Sequence, residues 1–460
     1  MNEAAPRGTP AAEPPLPAAG AHCGPRIGFW TCTALVVGNV IGMGIFLLPS
    51  SLAPYGFNGL IGWAVVMAGS LVLAVVFAKL ARVLPDAAGP FDYIRSTLGE
   101  LPAYLAMWAY WVSVWLTNTA LATGVVGYME AAVGPTHALP PMGLALALLW
   151  AMVVVNLFGV RAGGGVQIVT TVLKLVPMAA VIALGAWLLF STPHSYVAHL
   201  PTTPISLSSV AATVTLTLFA MMGIESATMP AAHVENPGRT IPRATMAGAV
   251  LAVVVYVLVC TIPMLLIPQH ELAGASAPFS LLMDRLLANG SGRWIALFVM
   301  ISGLGALNGW MLLGGELTRT MAAGGVLPAI LARNNRFGAP VNALLATGVF
   351  SSVTVVMSYS KSLVSAFTFL VQMVTASVLP FYLGCGLALG VLWFRRTPGC
   401  RSRNVLLMSL VCTLCMVLAF VGTGERAFLL TLALIAAGLP VYFYTRWRNG
   451  TAASLAGSAE

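Results

Sequence analysis

The sequence predicts an all-α polytopic membrane protein of about twelve transmembrane helices, arranged as two inverted halves of five with two further helices at the C-terminal end. Three observations predict it. The 460 residues are 59% hydrophobic and 8% charged, with apolar runs spread along nearly the whole chain, which excludes a set of soluble domains. Two apolar segments are interrupted by glycine at their centres, at Gly38-Asn39-Val40-Ile41-Gly42-Met43-Gly44-Ile45-Phe46 and at Phe219-Ala220-Met221-Met222-Gly223-Ile224-Glu225. The basic residues segregate as well. Seventeen of the 22 fall in the two termini and the even-numbered loops. Such a bias places both termini in the cytoplasm and makes the excess charge topogenic rather than a nucleic-acid site.

The elements follow in order. Residues 1–25, rich in Pro, Ala and Gly, lack the apolar core of a signal peptide and read as a disordered cytoplasmic tail. At about 20 residues per span, segments fall near 27–48, 57–83, 101–133, 140–160 and 165–191. A second set falls near 209–232, 241–267, 294–325, 341–359 and 362–394. The last two are 404–424 and 427–447. The first half is then 26–192, the second 208–395, the appended pair 403–447 and a cytoplasmic tail 448–460. An odd number of spans per half forces the halves into opposite orientation, and each half begins with a broken span. Long third and tenth segments imply tilt. The loop Asn236-Pro237-Gly238 is turn chemistry, with Pro242 suited to the first turn of the next helix. The basic loop from Leu331 to Pro340 pins the halves together or is a plain solvated turn. Seven cysteines show no metal-like spacing and no disulfide framework.

In hydrocarbon an unpaired backbone N–H or C=O costs several kcal/mol, so a broken helix survives only if buried in protein or offered to a ligand. Two such breaks in corresponding positions mark a secondary transporter. The plainer reading of Gly42 and Gly44 is close helix packing; the second break and Glu225 argue against it. The N–H groups around Met43 and Gly44 open the second half of span 1 at a positive helix terminus, matched to a carboxylate. The carbonyls of Ile41, Phe219 and Met222 are matched to an ammonium. Together they describe the head of an α-amino acid, with the side-chain pocket expected from spans 3, 6, 8 and 10. Span 3 carries Tyr110, Trp111, Ser113, Trp115 and Asn118, where the two tryptophans read as packing residues; span 8 carries Asn308-Gly309-Trp310. An indole face attracts an organic cation.

Glu225 is the acidic residue nearest the middle of a span, where a charge costs roughly 2.5–3.5 kcal/mol on insertion scales. It reads as a gate or proton sensor, the alternative being a hydrogen-bonded structural carboxyl. Glu316 reads as a partner for a loop residue, and Lys174 has no assigned function.

These runs carry a resemblance. Gly38 to Pro49 followed by Ser51-Leu52-Ala53, Tyr110-Trp111 with Trp115 and Asn118, Gly223-Ile224-Glu225-Ser226-Ala227 leading to Asn236-Pro237, and Gly309-Trp310 resemble the amino acid-polyamine-organocation superfamily. In order and spacing they are most similar to its basic amino acid/polyamine branch, the bacterial arginine/agmatine antiporter included. The resemblance implies a LeuT-like five-plus-five repeat with two added helices, usually dimeric, exchanging an amino acid for its decarboxylated amine. It places the carboxylate turn on Gly42, Met43 and Gly44 and the ammonium-binding carbonyls on Ile41, Phe219 and Met222. The stacking indole falls on Trp310, guanidinium contacts on Ser113, Val114 and Asn118, an outer gate on Tyr110 and an inner gate on Glu225. Two residues depart from the pattern: Met43 replaces a serine and Phe219 a tryptophan. A larger or less polar amino acid, or an amine without a carboxylate, stays open.

Other classes fit less well. Arg161-Ala162-Gly163-Gly164-Gly165 lacks the Lys-Ser/Thr ending of a phosphate loop, and the six histidines are scattered, so an enzyme is not expected. A channel would need rings of charge or a carbonyl filter. A sensor or accessory subunit of the same fold remains an alternative. The expectation is a multi-pass protein of the bacterial inner membrane, in contact with lipid, a homodimer, with small amino acids and amines as substrates. Metal, cofactor and nucleic acid are not expected.

Overall fold

The computed structural model describes residues 28–84, 87, 89–134, 140–158, 160–191, 200–223, 235–287, 290–358 and 362–457. Every regular element among the described residues is helical. α1 (Phe29–Val40) and α2 (Gly44–Leu52) are separated by three residues, and a 3₁₀ turn at Ala53–Tyr55 ends the pair. α3 (Asn58–Val83), the short α4 (Pro90–Leu98), α5 (Glu100–Val133), α6 (Pro141–Leu157) and α7 (Val160–Ser191) complete the first half. α8 (Leu207–Ala220), α9 (Pro237–Leu266), the short α10 (Gln269–Gly274) and α11 (Pro278–Leu286), α12 (Ser291–Ala323), α13 (Val341–Ser358) and α14 (Leu363–Phe394) follow. α15 (Arg403–Gly422), α16 (Glu425–Ala436) and α17 (Gly438–Gly457) end the chain.

Seven stretches are long and apolar enough to cross a membrane, among them α3, α9, α12 and α14; three shorter apolar helices include Leu207–Ala220. α1 and α2 reach spanning length only when taken together. α5, at 34 residues, is about 50 Å long and must tilt or project.

The packing pairs the helices in a regular way. Counting α1 with α2 as the first span, third packs on eighth (α5 on α12) and second on seventh (α3 on α9). The other large contacts between the two halves come as mates. First on seventh (α1 on α9) is matched by sixth on second (α8 on α3), and third on tenth (α5 on α14) by eighth on fifth (α12 on α7). Adding five to one member and subtracting five from the other maps each contact onto another observed contact, which is the pattern two interlocked five-helix repeats generate.

Several local expectations change. Helices α4, α10 and α11 were not anticipated, because each is too short to leave an apolar period. α4 is punctuated by Gly89 and Pro90 at its start and by Gly99, at φ 100°, at its end. Helix α9 starts at Pro237, so Pro242 lies in its second turn rather than its first. α17 continues to Gly457, well past the expected boundary at 447. Glu316 pairs not with a loop residue but with Arg319 one turn along α12, at 2.8 Å. The Leu331–Pro340 loop does join the halves. Asn335 donates to the Leu157 carbonyl at the end of α6 at 2.8 Å, while its side-chain oxygen accepts the amides of Phe337 and Ala339. Arg395, just past α14, donates to the carbonyls of Ser96 and Thr97 in α4 at 3.2 Å, so the C-terminal end of α14 lies beside the end of α4 that leads into α5.

Orientation can be read with thiol reagents, although not through Cys400, which is fully buried. Arg336, on a loop, and His270, on the short helix α10, are both exposed, at opposite ends of the bundle by the charge pattern. Arg336→Cys is expected to react with an impermeant maleimide only in inside-out vesicles, and His270→Cys only in right-side-out ones. Labelling in the opposite sense would invert the topology.

Candidate functional site

The first break occupies Ile41 to Met43, and the way its backbone is satisfied defines the site. A helix C-terminus leaves its last carbonyls without partners, which hydrocarbon does not tolerate. The Val40 carbonyl accepts the hydroxyl of Tyr256 from α9, and the Ile41 carbonyl accepts the ammonium of Lys174 from α7 at 2.8 Å. Both side chains are buried, at 0% and 1% exposure. Lys174 thus has a structural task at the break that its sequence context did not reveal. The Ile41 carbonyl, expected to hold a ligand ammonium, here holds an ammonium of the protein itself.

Beyond the break, α2 begins at Gly44 with Met43 at its N-cap. The amides of a first helical turn have no i−4 partner: Phe46 N–H returns to the Met43 carbonyl at 3.1 Å, and Gly44 and Ile45, whose amides have no backbone partner among the described residues, line a small cavity with Gly42, Thr117, Phe219, Met222 and Trp310, among others. The second break forms its opposite wall. α8 ends at Ala220, Met222 N–H turns back to the Phe219 carbonyl at 3.3 Å, and Gly223 has φ 101°, a left-handed conformation that favours glycine. The two breaks therefore meet across one space.

Phe219 decides how closed that space is. A Cβ on Gly44 would lie 2.7 Å from the phenyl carbon Cε1, so the ring rests directly on the N-terminal turn of α2 and only glycine permits the approach. The same ring meets Phe367 of α14 edge-on, at 6.1 Å between centroids. By contrast a Cβ on Gly42 would find nothing nearer than 3.9 Å, so the steric restriction lies at Gly44 rather than Gly42. The cavity left by this closure is about 20 Å³, room for roughly one water. An amino acid enters only after these walls separate.

Other expected site residues sit around the cavity rather than on it. Ser113 and Val114 are buried one turn along α5 from the lining residue Thr117, with Ser113 donating to the Tyr110 carbonyl at 2.7 Å. Asn118 faces α12 and donates to the Trp310 carbonyl at 3.4 Å and the Val114 carbonyl at 3.0 Å. Its side-chain oxygen is buried without a partner among the described residues. Met43, expected to crowd the carboxylate turn, points away from it. Its thioether lies in a slot between two glycines, where a Cβ on Gly303 of α12 would sit 2.8 Å from Sδ and one on Gly124 of α5 3.0 Å from Cγ. The serine-to-methionine departure therefore removes a hydroxyl without adding bulk to the cavity.

Tyr110, expected as an outer gate, stacks on Phe381 of α14, 4.5 Å between centroids and 25° between planes, on the part of α5 toward the end where Arg395 meets α4. The charge pattern makes that end the cytoplasmic one, so the inner side is the better expectation for this residue. Toward the other end, α2 is held by hydroxyls: Ser51 to Thr368 of α14 at 2.8 Å, Ser50 to the Ala275 carbonyl and Tyr128 to the Phe46 carbonyl, each at 2.7 Å. Glu225 lies outside the described residues.

Similarity to known proteins agrees with this arrangement of two breaks around one cavity. The profile of a family described as amino acid permease matches residues 27–441. The chain belongs to that family. The Escherichia coli (strain K12) putrescine transporter PotE is 29% identical over 411 residues, covering 88% of this chain and 92% of its own. A Bacillus subtilis (strain 168) protein named for arginine/ornithine antiport is 30% identical over 452 residues, covering 90% and 96%. The cadaverine/lysine antiporter of Escherichia coli (strain K12) is 28% identical over 436 residues, covering 92% and 95%.

Two substitutions probe the breaks. Lys174→Met leaves the Ile41 carbonyl buried and unpaired and is expected to lower stability by about 1–3 kcal/mol, read from thermal unfolding in detergent. Gly44→Ala drives a methyl into the Phe219 ring and is expected to destabilise the closed state by about 1–3 kcal/mol. Phe219→Leu placed in the same chain is expected to restore part of the lost transport, and a double variant no better than Gly44→Ala would separate the ring from the glycine.

Proposed function

We propose that the protein is a secondary antiporter that exchanges a basic amino acid for its decarboxylated amine across a bacterial inner membrane by alternating access. The observation that carries this is the meeting of the broken first span and the end of α8 over one closed cavity, with an N-terminal helical turn on one wall and an aromatic ring laid across it. The turn suits a carboxylate, and the faces of Phe219 and Trp310 suit a cationic chain. The names of the relatives, a putrescine transporter, an arginine/ornithine antiporter and a cadaverine/lysine antiporter, support the same substrate class.

The finer choice among these pairs depends on the far end of the chain. The cavity lining contains no carboxylate among the described residues, so the distal cation is held by π faces, hydroxyls and carbonyls rather than by a fork-to-fork ion pair. Such a hold serves a primary ammonium at least as well as a guanidinium. Arginine/agmatine and ornithine/putrescine or lysine/cadaverine are therefore compatible partners, with Ser113, Val114 and Asn118 entering contact as the cavity expands by a turn of α5. In this reading Tyr110 with Phe381 closes the site toward the basic, cytoplasmic end, and Glu225 keeps the protonatable gating role that the resemblance gives it.

Because the amine lacks the carboxylate, one-for-one exchange moves one net positive charge. Proteoliposomes loaded with putrescine, cadaverine or agmatine are expected to take up the matching labelled amino acid and to generate a membrane potential, whereas empty vesicles take up little. Uptake that needs no internal amine, or that favours neutral amino acids, would refute the exchange and leave a permease of the same fold. Trp310→Leu is expected to weaken a basic amino acid by about 1–2 kcal/mol more than a small neutral one, measured by binding.

A further inference from the structure

On the side of α5 turned away from the substrate cavity, a second and much larger hollow opens between α5, α13, α14 and α16. It encloses about 530 Å³, within the size range of small-molecule sites. Its walls are apolar and aromatic. Trp108, Trp111 and Trp115 descend one face of α5, and Phe350 of α13 lies edge-on to Trp111 at 5.3 Å and stacked on Trp115 at 5.6 Å. Two of the three indoles are committed, Trp108 to the Leu434 carbonyl at 2.9 Å and Trp111 to the Thr318 hydroxyl at 2.7 Å. The third, Trp115, is 7% exposed, and its N–H is buried without a partner among the described residues.

One end of the hollow carries its single charged lining residue, Arg426 at the start of α16. The guanidinium lies over the ring of Phe369, 5.5 Å from its centroid, and makes no ion pair among the described residues. Glu425 beside it is exposed and is not part of the lining. A long apolar groove, an unpaired N–H donor within it and one unpaired planar cation at its end have the chemistry of a glycerophospholipid: acyl chain, ester carbonyl and phosphate. Guanidinium geometry suits a phosphate, and the bilayer supplies such chains at every lipid-facing surface.

We propose that this hollow binds an anionic glycerophospholipid, with one acyl chain against the indoles of α5 and the headgroup phosphate on Arg426. The proposal does not depend on the exchange reaction. Its consequence is that α5 presents the lipid on one face and the substrate cavity, through Thr117 and Leu121, on the other.

The test uses the full chain in phosphatidylethanolamine vesicles containing increasing mole fractions of either phosphatidylglycerol or phosphatidylcholine with brominated acyl chains, and reads quenching of tryptophan fluorescence. The anionic lipid is expected to quench at about fivefold lower mole fraction than the zwitterionic one. Arg426→Gln is expected to remove that preference, and joint Trp111→Phe and Trp115→Phe substitution to remove most of the quenching at low mole fraction. Equal quenching by both headgroups, or a preference untouched by Arg426→Gln, would overturn the proposal. Spontaneous disulfide dimers of Leu430→Cys in native membranes would also overturn it, since a second copy would then cover the hollow.

Discussion

No water reaches the hydrocarbon core to satisfy backbone, and the whole site follows from where this chain violates that condition and how it repairs it. A break at Ile41 to Met43 frees carbonyls at one helix end and amides at the other. The carbonyls of Val40 and Ile41 are repaired by Tyr256 and Lys174, from two different helices. The amides, which an anion can satisfy, are left to the cavity. Repair on one side and exposure on the other is what turns a helix defect into a cavity with polarity, and it also locks α1 to α7 and α9 at the level of that cavity.

That asymmetry explains what was legible in the sequence. Composition and the side-alternation of basic residues gave the membrane fold, because both are properties of whole segments. The breaks were visible because two glycine-bearing interruptions fall in corresponding spans; glycine pairs alone would not have marked them, since Gly303 and Gly305 and Gly314-Gly315 lie inside the unbroken α12. Lys174 and Tyr256 were not, since one buried lysine in an apolar helix reads the same whether it snorkels, pairs or caps a carbonyl on another span. Short helices such as α4 and α11 left no period long enough to detect. The side-chain lining was missed by small distances. Ser113 lies one turn from Thr117 on the same stripe of α5, and Asn118 is one residue, hence about 100°, round the helix onto the α12 side. Residue-to-residue transfer of a role is accurate to about a helical turn; the closed conformation of this chain is sensitive to less.

Met43 shows the complementary case. A change from a small polar to a long apolar side chain predicts crowding if only the chain is read. The structure absorbs it, because Gly124 and Gly303 on two neighbouring helices provide a slot with no side chain on either face. Methionine fills irregular space well, so the departure fixes the break against α5 and α12 and leaves the carboxylate turn purely backbone in character. Without a hydroxyl there, the turn gains less from a carboxylate than a serine-bearing one would, which narrows the difference in affinity between an amino acid and its decarboxylated amine. An exchanger that must release both partners works best when that difference is small.

Closure itself has a direction. The ring on Gly44 comes from the second half and the turn beneath it from the first, so the cavity opens only if the end of α8 moves relative to α2. On one side α2 is tied by three hydroxyl bonds to α14, to the segment before α11 and to α5, none of them long-range charge pairs. Each is a bond that water can replace at modest net cost. On the other side the barrier is the Tyr110–Phe381 stack, an apolar contact that resists water until the helices part. In the exchange proposed above, the two ends would open by different physics, one by exchanging hydroxyl bonds for hydration and the other by separating aromatic faces. Because the packing of the halves maps onto itself, each contact loosened at one end has a mated contact elsewhere in the bundle, so that mechanism would let one side part while the opposite side stays closed.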